Sequence, residues 1–310
     1  MILFNPKINF IRFNKYALLL SISLMILSSI LILVKGLNLG IDFLGGSRID
    51  FSINKKVEIN LVKDTFNDFI SNKNYSIKEI ENLEEGSSSF SIISKTNLQK
   101  ELINQIAESL KQKMGTDLII KETLSENIGK NVSDDLANDA LLSLIIASIL
   151  ILIYITIRFN GFFALGSIIA LIHDILITLG VFSLFGLEIN LPIIAAFLTI
   201  LGYSLNDTIV VFDRIRENFN INQNDISNTI NKSINQTLAR TLLTSLTTLI
   251  VLVILYFVGS YLIKLFTLAL IIGVIIGTYS SIFIASYSVS ILHNKFGYIL
   301  EKFRFDENEE

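Results

Sequence analysis

The chain has 310 residues, 51% of them apolar and 17% charged, with a formal net charge of -3. Its apolar residues are gathered into long uncharged blocks, which excludes an ordinary soluble domain and indicates a polytopic membrane protein. With no cysteine and two histidines in separate segments, disulfides and thiolate metal sites are excluded, and the expected metal content is none.

Residues 1–15 carry Lys7, Arg12 and Lys15 ahead of the first apolar block, residues 16–36. That block is longer than a signal-peptide core and has no small-residue cleavage site after it, so it reads as a retained span. Basic residues on the cytoplasmic side set orientation. Arg158, then Arg214, Arg216, Lys232 and Arg240, then Lys295, Lys302 and Arg304 all fall on the side of the N-terminus, while the opposite short turns offer Lys264. Both termini are therefore expected in the cytoplasm.

Residues 37–135 are polar enough to form a small extracytoplasmic domain. Ser47 to Ile53 alternates as a strand, and Val57, Leu61, Phe66, Phe69 and Ile70 mark one face of a helix. Tyr75 to Leu83 and Ser88 to Ser94 read as strands around a Glu84-Glu85-Gly86-Ser87 turn. Thr96 with Gln99 forms a capping box before a helix with Leu98, Leu102, Ile106 and Leu110 at spacing four. Thr116 to Thr123 gives a last strand. The order strand, helix, strand, strand, helix, strand is the split ferredoxin-like arrangement, a fold that decides nothing about activity.

Residues 136–292 then form a five-helix membrane domain, with spans at about 140–157, 161–187, 189–212, 241–263 and 265–292, giving six in all. Arg158-Phe159-Asn160-Gly161 is a tight turn, and Pro192 is tolerated in a first helical turn. Between the fourth and fifth spans, Ile226, Ile230, Ile234 and Leu238 recur at spacing four among Asn, Ser and Thr, which predicts a helix along the membrane surface. Gly273 and Gly277 allow close helix approach in the sixth span. The tail, residues 293–310, ends in acid and is expected to be disordered.

The candidate site lies in Leu201 to Asn218, where an apolar run carries Asn206 and Asp207 before breaking into Asp213, Arg214, Arg216 and Glu217. A carboxylate inside hydrocarbon costs about 2.5–3.5 kcal/mol on insertion scales, so Asp207 is a functional candidate by default. Asn206 or Tyr203 could satisfy it in a merely structural role. The cation able to compensate it is Arg240, at the cytoplasmic mouth of the next span, which could equally be a topology anchor. Thr241, Thr244, Ser245, Thr247 and Thr248 line that span; such hydroxyls usually bond their own helix. His173 and Asp174, in the third span, are either a mutually satisfied pair or face separate neighbours, and could relay to Asp207 or support it. Asp213 and the charges after it read as a solvated, orienting cluster. No Gly-rich phosphate loop, matched nucleophile and base, or nucleic-acid motif is present. An enzyme is therefore not expected, nor a bound cofactor. An intramembrane acid without a nucleotide site points to a proton or sodium gradient, where one charge crossing 100 mV is worth about 2.3 kcal/mol.

Three groups of residues together resemble the SecF family of bacterial protein-export subunits. They are Gly40-Ile41-Asp42-Phe43-Leu44-Gly45-Gly46 after the first span, His173-Asp174 with Asn206-Asp207 through Asn218, and Gln236-Thr237-Leu238-Ala239-Arg240 through Ser245. The similarity runs from Ile8 to Leu292. It implies a partner, SecD, completing a unit like a resistance-nodulation-division transporter; association with the SecYEG channel and YajC; unfolded secretory polypeptides as cargo; and the bacterial inner membrane as location. It also implies that Asp207 and Arg240 are the ion-coupling residues, with H⁺ favoured and Na⁺ open. Two departures stand out: Ser125-Glu126-Asn127 replaces a stiffer linker before Gly129, and the inner loop is poor in basic residues. A small-molecule efflux pump of the same superfamily would carry two such halves in one chain. A purely structural scaffold would make Asp207 dispensable.

Overall fold

The computed structural model describes residues 8–69, 75–80, 86–94, 100–114, 119–159, 161–221 and 226–292. The Thr96–Gln99 capping box, Glu84-Glu85 of the turn, and the tail lie outside these residues. The chain divides into two compact units, one of residues 39–141 with 189–191, the other holding the remainder.

Among the described residues, six helices are long and apolar enough to cross a membrane. They are α1 (Phe10–Lys35), α5 (Lys130–Arg158), α6 (Gly161–Phe185), α7 (Leu191–Ile221), α8 (Ile226–Val258) and α9 (Tyr261–Ser280). A π-helical segment, Ser281–Ala285, prolongs α9 toward Leu292. Three helices extend well beyond their apolar blocks. α1 begins at Phe10, where the Asn9 side chain accepts the Arg12 N–H at 3.2 Å. α5 starts ten residues before Ala140, because no Gly or Pro interrupts Lys130 to Ala140 and Lys130 bonds Asp134 across one turn at 2.7 Å. α7 runs on to Ile221.

The surface helix expected between the fourth and fifth spans is not separate. It is the first half of α8, which continues without a break into the fifth span. No Gly or Pro stops it. Its spacing-four row, with Ile230 and Ile234 each 1% exposed, packs into the membrane unit's core with Phe212, Ile215 and Phe163. The inner helices are α6, α7 and α9, half or more buried along their spans, whereas α1, α5 and α8 turn most of their apolar surface outward. Outward Leu, Ile and Val in such numbers suit a lipid solvent.

In the other unit the elements are α2 (Ile41–Leu44), β2 (Gly46–Ile53), α3 (Ile59–Asn67), β3 (Tyr75–Ile80), β4 (Ser88–Ser94), α4 (Lys100–Met114) and β5 (Ile120–Ile128). The four strands form one sheet in the order β3-β4-β2-β5, with every described pairing antiparallel. The alternation in β2 places Ile49, Phe51 and Ile53 in a core with Phe66, Phe90, Ile92, Ile106 and Leu110. Phe69, expected on the buried face of α3, is 39% exposed because the helix has already ended. The last strand, expected at Thr116 to Thr123, runs on to Ile128. It extends through Ser125, Glu126 and Asn127, which pair with Ile49, Arg48 and Ser47 of β2. Those residues are strand, not a loosened linker. The two-residue strands β1 (Asn38–Leu39) and β6 (Glu188–Ile189) pair separately.

Candidate functional site

Asp207 sits on α7, 1% exposed. Two hydroxyls of α8 donate to it, Thr244 Oγ1 to Oδ1 at 3.5 Å and Ser245 Oγ to Oδ2 at 3.3 Å. Both contacts are long for O–H···O bonds. Each hydroxyl has one proton and a nearer acceptor on its own helix: Thr241 O lies 2.9 Å from Thr244 and 2.9 Å from Ser245. Ser245 also meets Thr278 of α9, their oxygens 2.7 Å apart. The carboxyl of Asp207 is therefore buried but loosely held.

Arg240 lies one turn before Thr244, whose hydroxyl also reaches Arg240 O at 3.1 Å. Its side chain is exposed, and among the described residues no ion pair joins it to Asp207. The pairing expected from the sequence is thus not closed in this arrangement, in which Asp207 is buried and Arg240 exposed. Asn206 is exposed as well, one position round the helix from Asp207, and does not satisfy it. Tyr203 donates to Thr248 Oγ1 at 3.3 Å instead.

His173 and Asp174 do come together, with Nδ1 and Oδ1 2.9 Å apart, at 1% and 0% exposure. Asp174 Oδ2 also accepts Ser204 Oγ of α7 at 2.6 Å and Ser280 Oγ of α9 at 2.8 Å. This acid is bound across three helices by short bonds. Close packing makes that possible. A Cβ on Gly273 would fall 2.3 Å from Ile200, and one on Gly277 3.0 Å from Ser204, so α9 reaches α7 only through these glycines. Beside them, Thr208 and Ser281 hydroxyls lie 2.8 Å apart, and Ser281 donates to Ser204 O at 3.1 Å.

Further along α7, Asp213 pairs with Arg158 at 3.2 Å and Arg216 at 3.1 Å, while both arginines stack over Phe159 at 5.4 Å. Arg214 bonds Glu217 at 2.6 Å and Gln236 of α8 at 2.7 Å. These pairs are 38–51% exposed and orient helix ends more than they stabilise them. The sequence did not single out Asn231 and Asn235 of α8, whose side chains hold the backbone of Phe10 and Ile8 at 2.8 and 2.9 Å.

In the other unit, Gly40 precedes the short helix α2, which holds Asp42 and half-buried Phe43. Asp42 Oδ2 accepts the Leu191 N–H at 2.6 Å. Gly45 and Gly46 both have positive φ, 72° and 123°. A Cβ on Gly45 would lie 3.2 Å from Ser133 Oγ and 3.3 Å from Lys130 Cα, so both conformation and space require glycine there.

Residues 106–295 match the family described as "Protein export membrane protein SecD/SecF, C-terminal", and residues 30–57 match the SecD/SecF GG motif, which contains Gly45 and Gly46. Protein translocase subunit SecF of Petrotoga mobilis is 41% identical over 91% of this chain and 94% of its own. That of Helicobacter pylori strain 26695 is 36% identical over 97% of this chain and 90% of its own. The chain belongs to the SecF family. The crystal structure of SecDF from Thermus thermophilus, titled a translocon-associated membrane protein, superposes with a TM-score of 0.84 at 34% identity. It matches 95% of this chain, which spans 40% of that longer one. Membership, with six candidate spans, makes this a multi-pass membrane protein of the protein-export class. Gly40 to Gly46, around α2, lie within the matched GG motif, and Asp207 and Arg240, on α7 and α8, lie within the matched C-terminal family region.

Proposed function

We propose that this chain is an accessory subunit of the Sec translocase that works with a SecD partner and draws on an ion gradient to promote late steps of polypeptide export. The observation that carries this reading is a face of α7. Ala195, Thr199, Gly202 and Asn206 are exposed at spacings of four, three and four, and Arg240 of α8 is exposed as well. A Cβ on Gly202 would meet nothing within 4 Å. Small and polar residues exposed along a membrane-spanning helix are a poor surface for lipid and a good one for another helix. Asp207 lies directly behind this face.

The partner that fits is SecD. The longer SecDF chain, of which a SecF-like region is 40%, carries both halves in one polypeptide. Asp207 and Arg240 then form the coupling pair. In one arrangement the acid is loosely bonded to Thr244 and Ser245; in a second, Arg240 turns inward to it. Ion binding at Asp207 would bias the choice between them, which is all a ligand needs to drive a conformational cycle. H⁺ is the ion we propose, with Na⁺ as the alternative for the same carboxylate. We read the sheet unit as a split ferredoxin-like domain outside the bacterial inner membrane, where it meets emerging polypeptide, with both termini inside. SecYEG and YajC complete the proposed assembly.

The test is release of a secretory protein from spheroplasts or inner-membrane vesicles, with and without a proton gradient. Wild type is compared with Asp207→Asn at equal membrane abundance. The gradient should speed release in the wild type and leave the variant unmoved; a sodium-gradient arm identifies the ion. Equal stimulation of both proteins would make Asp207 structural and the chain a scaffold.

A further inference from the structure

We infer that His173 and Asp174 form a second proton-binding site of the membrane unit, separate from Asp207 and mechanically tied to it through α7 and α9. Only that tie rests on the coupling role proposed for Asp207.

We take Asp174 as the ionised member of the pair. Ser204 and Ser280 hydroxyls, at 2.6 and 2.8 Å, both converge on Oδ2, and the imidazole Nδ1 stands 2.9 Å from Oδ1. An ionised carboxylate accepts at both oxygens, so the ring donates from Nδ1. That leaves the lone pair on Nε2. This atom is buried and, among the described residues, has no hydrogen-bond partner; the residue is 1% exposed. A buried polar atom without a partner costs free energy, so an open valence here is one that a ligand can fill.

The surroundings of Nε2 show what it can bind. α1 and α6 run parallel here: Gly180 lies against Ser28, and Ser183 Oγ donates to Leu31 O at 3.0 Å. Seven residues back from Gly180 and Ser28 are His173 and Ser21. Ser21 donates to the Tyr279 hydroxyl at 3.1 Å, and the Tyr279 ring stacks on the imidazole with centroids 6.1 Å apart. Tyr279 itself donates to Ala17 O at 2.7 Å, so its proton is committed. The buried face of α1 offers Asn14, Ala17, Ser21 and Ser28, none of them charged, while Arg12 and Lys15 are exposed. From α9 the facing groups are Tyr279, Ser280 and Ser281, and from α7 they are Ser204 with Asp207 three residues beyond. No cation faces the imidazole among the described residues. The species that fits is a proton. Its uptake makes a new N–H at Nε2 and turns a carboxylate beside a neutral ring, net charge -1, into an imidazolium–carboxylate pair of net charge zero. Release reverses the step with no other bond made or broken.

The tie to Asp207 is geometric. Ser204 and Asp207 lie three residues apart on α7. Ser280 lies two residues beyond Thr278 on α9, and Thr278 touches Ser245, a donor to Asp207. Neutralising the pair weakens the pull of Asp174 on Ser204 and Ser280 together. The helix following Ser280 is the π segment Ser281–Ala285, a wider turn at which helix register is readily adjusted.

The chain holds two histidines, His173 and His293, so ¹⁵N-histidine labelling of the full chain in lipid bilayers yields signals from two imidazole rings, assigned by His293→Gln. Nitrogen shifts report tautomer and protonation directly. His173 should appear with Nδ1 protonated and Nε2 bare, and gain a proton at Nε2 as the pH is lowered. Asp174→Asn should abolish that transition or move it by more than one pH unit; Asp207→Asn should displace it while leaving it present. A His173 signal that keeps one tautomer and one charge at every pH overturns the site, as does a titration unchanged in Asp174→Asn. A titration indifferent to Asp207→Asn overturns the tie. These readouts do not depend on export, so failure of the coupling role at Asp207 would leave a titrating His173 standing.

Discussion

Asp174 and Asp207 are both buried carboxyls in one helical unit, and their surroundings divide their roles. Asp174 is gripped by bonds of 2.6–2.9 Å from three helices; Asp207 is brushed by hydroxyls at 3.3 and 3.5 Å that have closer acceptors of their own. A loosely held acid can change partner at small structural cost, and Arg240 is the partner we propose for it within the same helix pair. Replacing Arg240 by Met should therefore lower gradient-stimulated release to the level of Asp207→Asn. Arg240→Lys should restore part of it, because an ammonium supplies the charge without the planar two-pronged donor. Release assays on membranes with matched protein levels decide the matter: full activity in Arg240→Met would make this residue an interfacial anchor. The four side chains His173, Asp174, Asp207 and Arg240 were legible in the sequence because charge inside an apolar run is costly and conspicuous. The hydroxyl partners of Asp174, Ser204 and Ser280, were not, nor was Thr278, which meets Ser245. A Ser or Thr in a helix ordinarily bonds the carbonyl one turn back, as Thr278 also does to Val274 O at 2.8 Å, so its presence carries no signal of a tertiary contact.

At the scale of helices, glycine decides where the unit is tight and where it is open. Gly273 and Gly277 face Ile200 and Ser204 with no room for a Cβ, whereas Gly202, on the opposite face of α7, has open space around it. Gly273→Leu should then prevent stable folding of the membrane unit, seen as loss of the chain from membranes even when a partner is co-expressed. Gly202→Leu should leave the chain abundant and abolish its co-purification with SecD, since the added side chain fills only the face reserved for another helix. Co-purification at wild-type yield would place the partner elsewhere. The glycines of α9 announced their role through spacing. The continuity of α8 did not, because the polar Asn, Ser and Thr before Arg240 resemble a loop or surface helix until Ile230 and Ile234 are seen in the core. In the sheet unit the alternation of β2 was plain, while the far end of β5, Leu124 to Ile128, was not, since it is polar and held by pairing with β2 instead of by burial of its own side chains.

For the whole molecule, the orientation expected from the distribution of Lys and Arg together with the number of spans can be tested directly. The natural chain has no cysteine, so single cysteines report position without background. Lys55, in the sheet unit, and Lys232, on the first half of α8, are both exposed. An impermeant maleimide added to intact spheroplasts should label Lys55→Cys fully and Lys232→Cys only after the membrane is opened. The physical basis is that translocating a lysine-bearing loop against the membrane potential is unfavourable by about 2.3 kcal/mol per charge at 100 mV, and Arg214, Arg216, Lys232 and Arg240 all lie between the fourth and fifth spans. The reverse pattern would put the sheet unit inside, out of reach of polypeptide emerging on the far side, and the export reading would fail with it. Labelling of both sites in intact spheroplasts would instead mean that one of the six helices does not cross. The expected pattern would leave Asp207 and Arg240 in the cytoplasmic half of the membrane, with the sheet unit outside. A proton binding at the coupling site from within would then act on exported chain only through motion of the helices between.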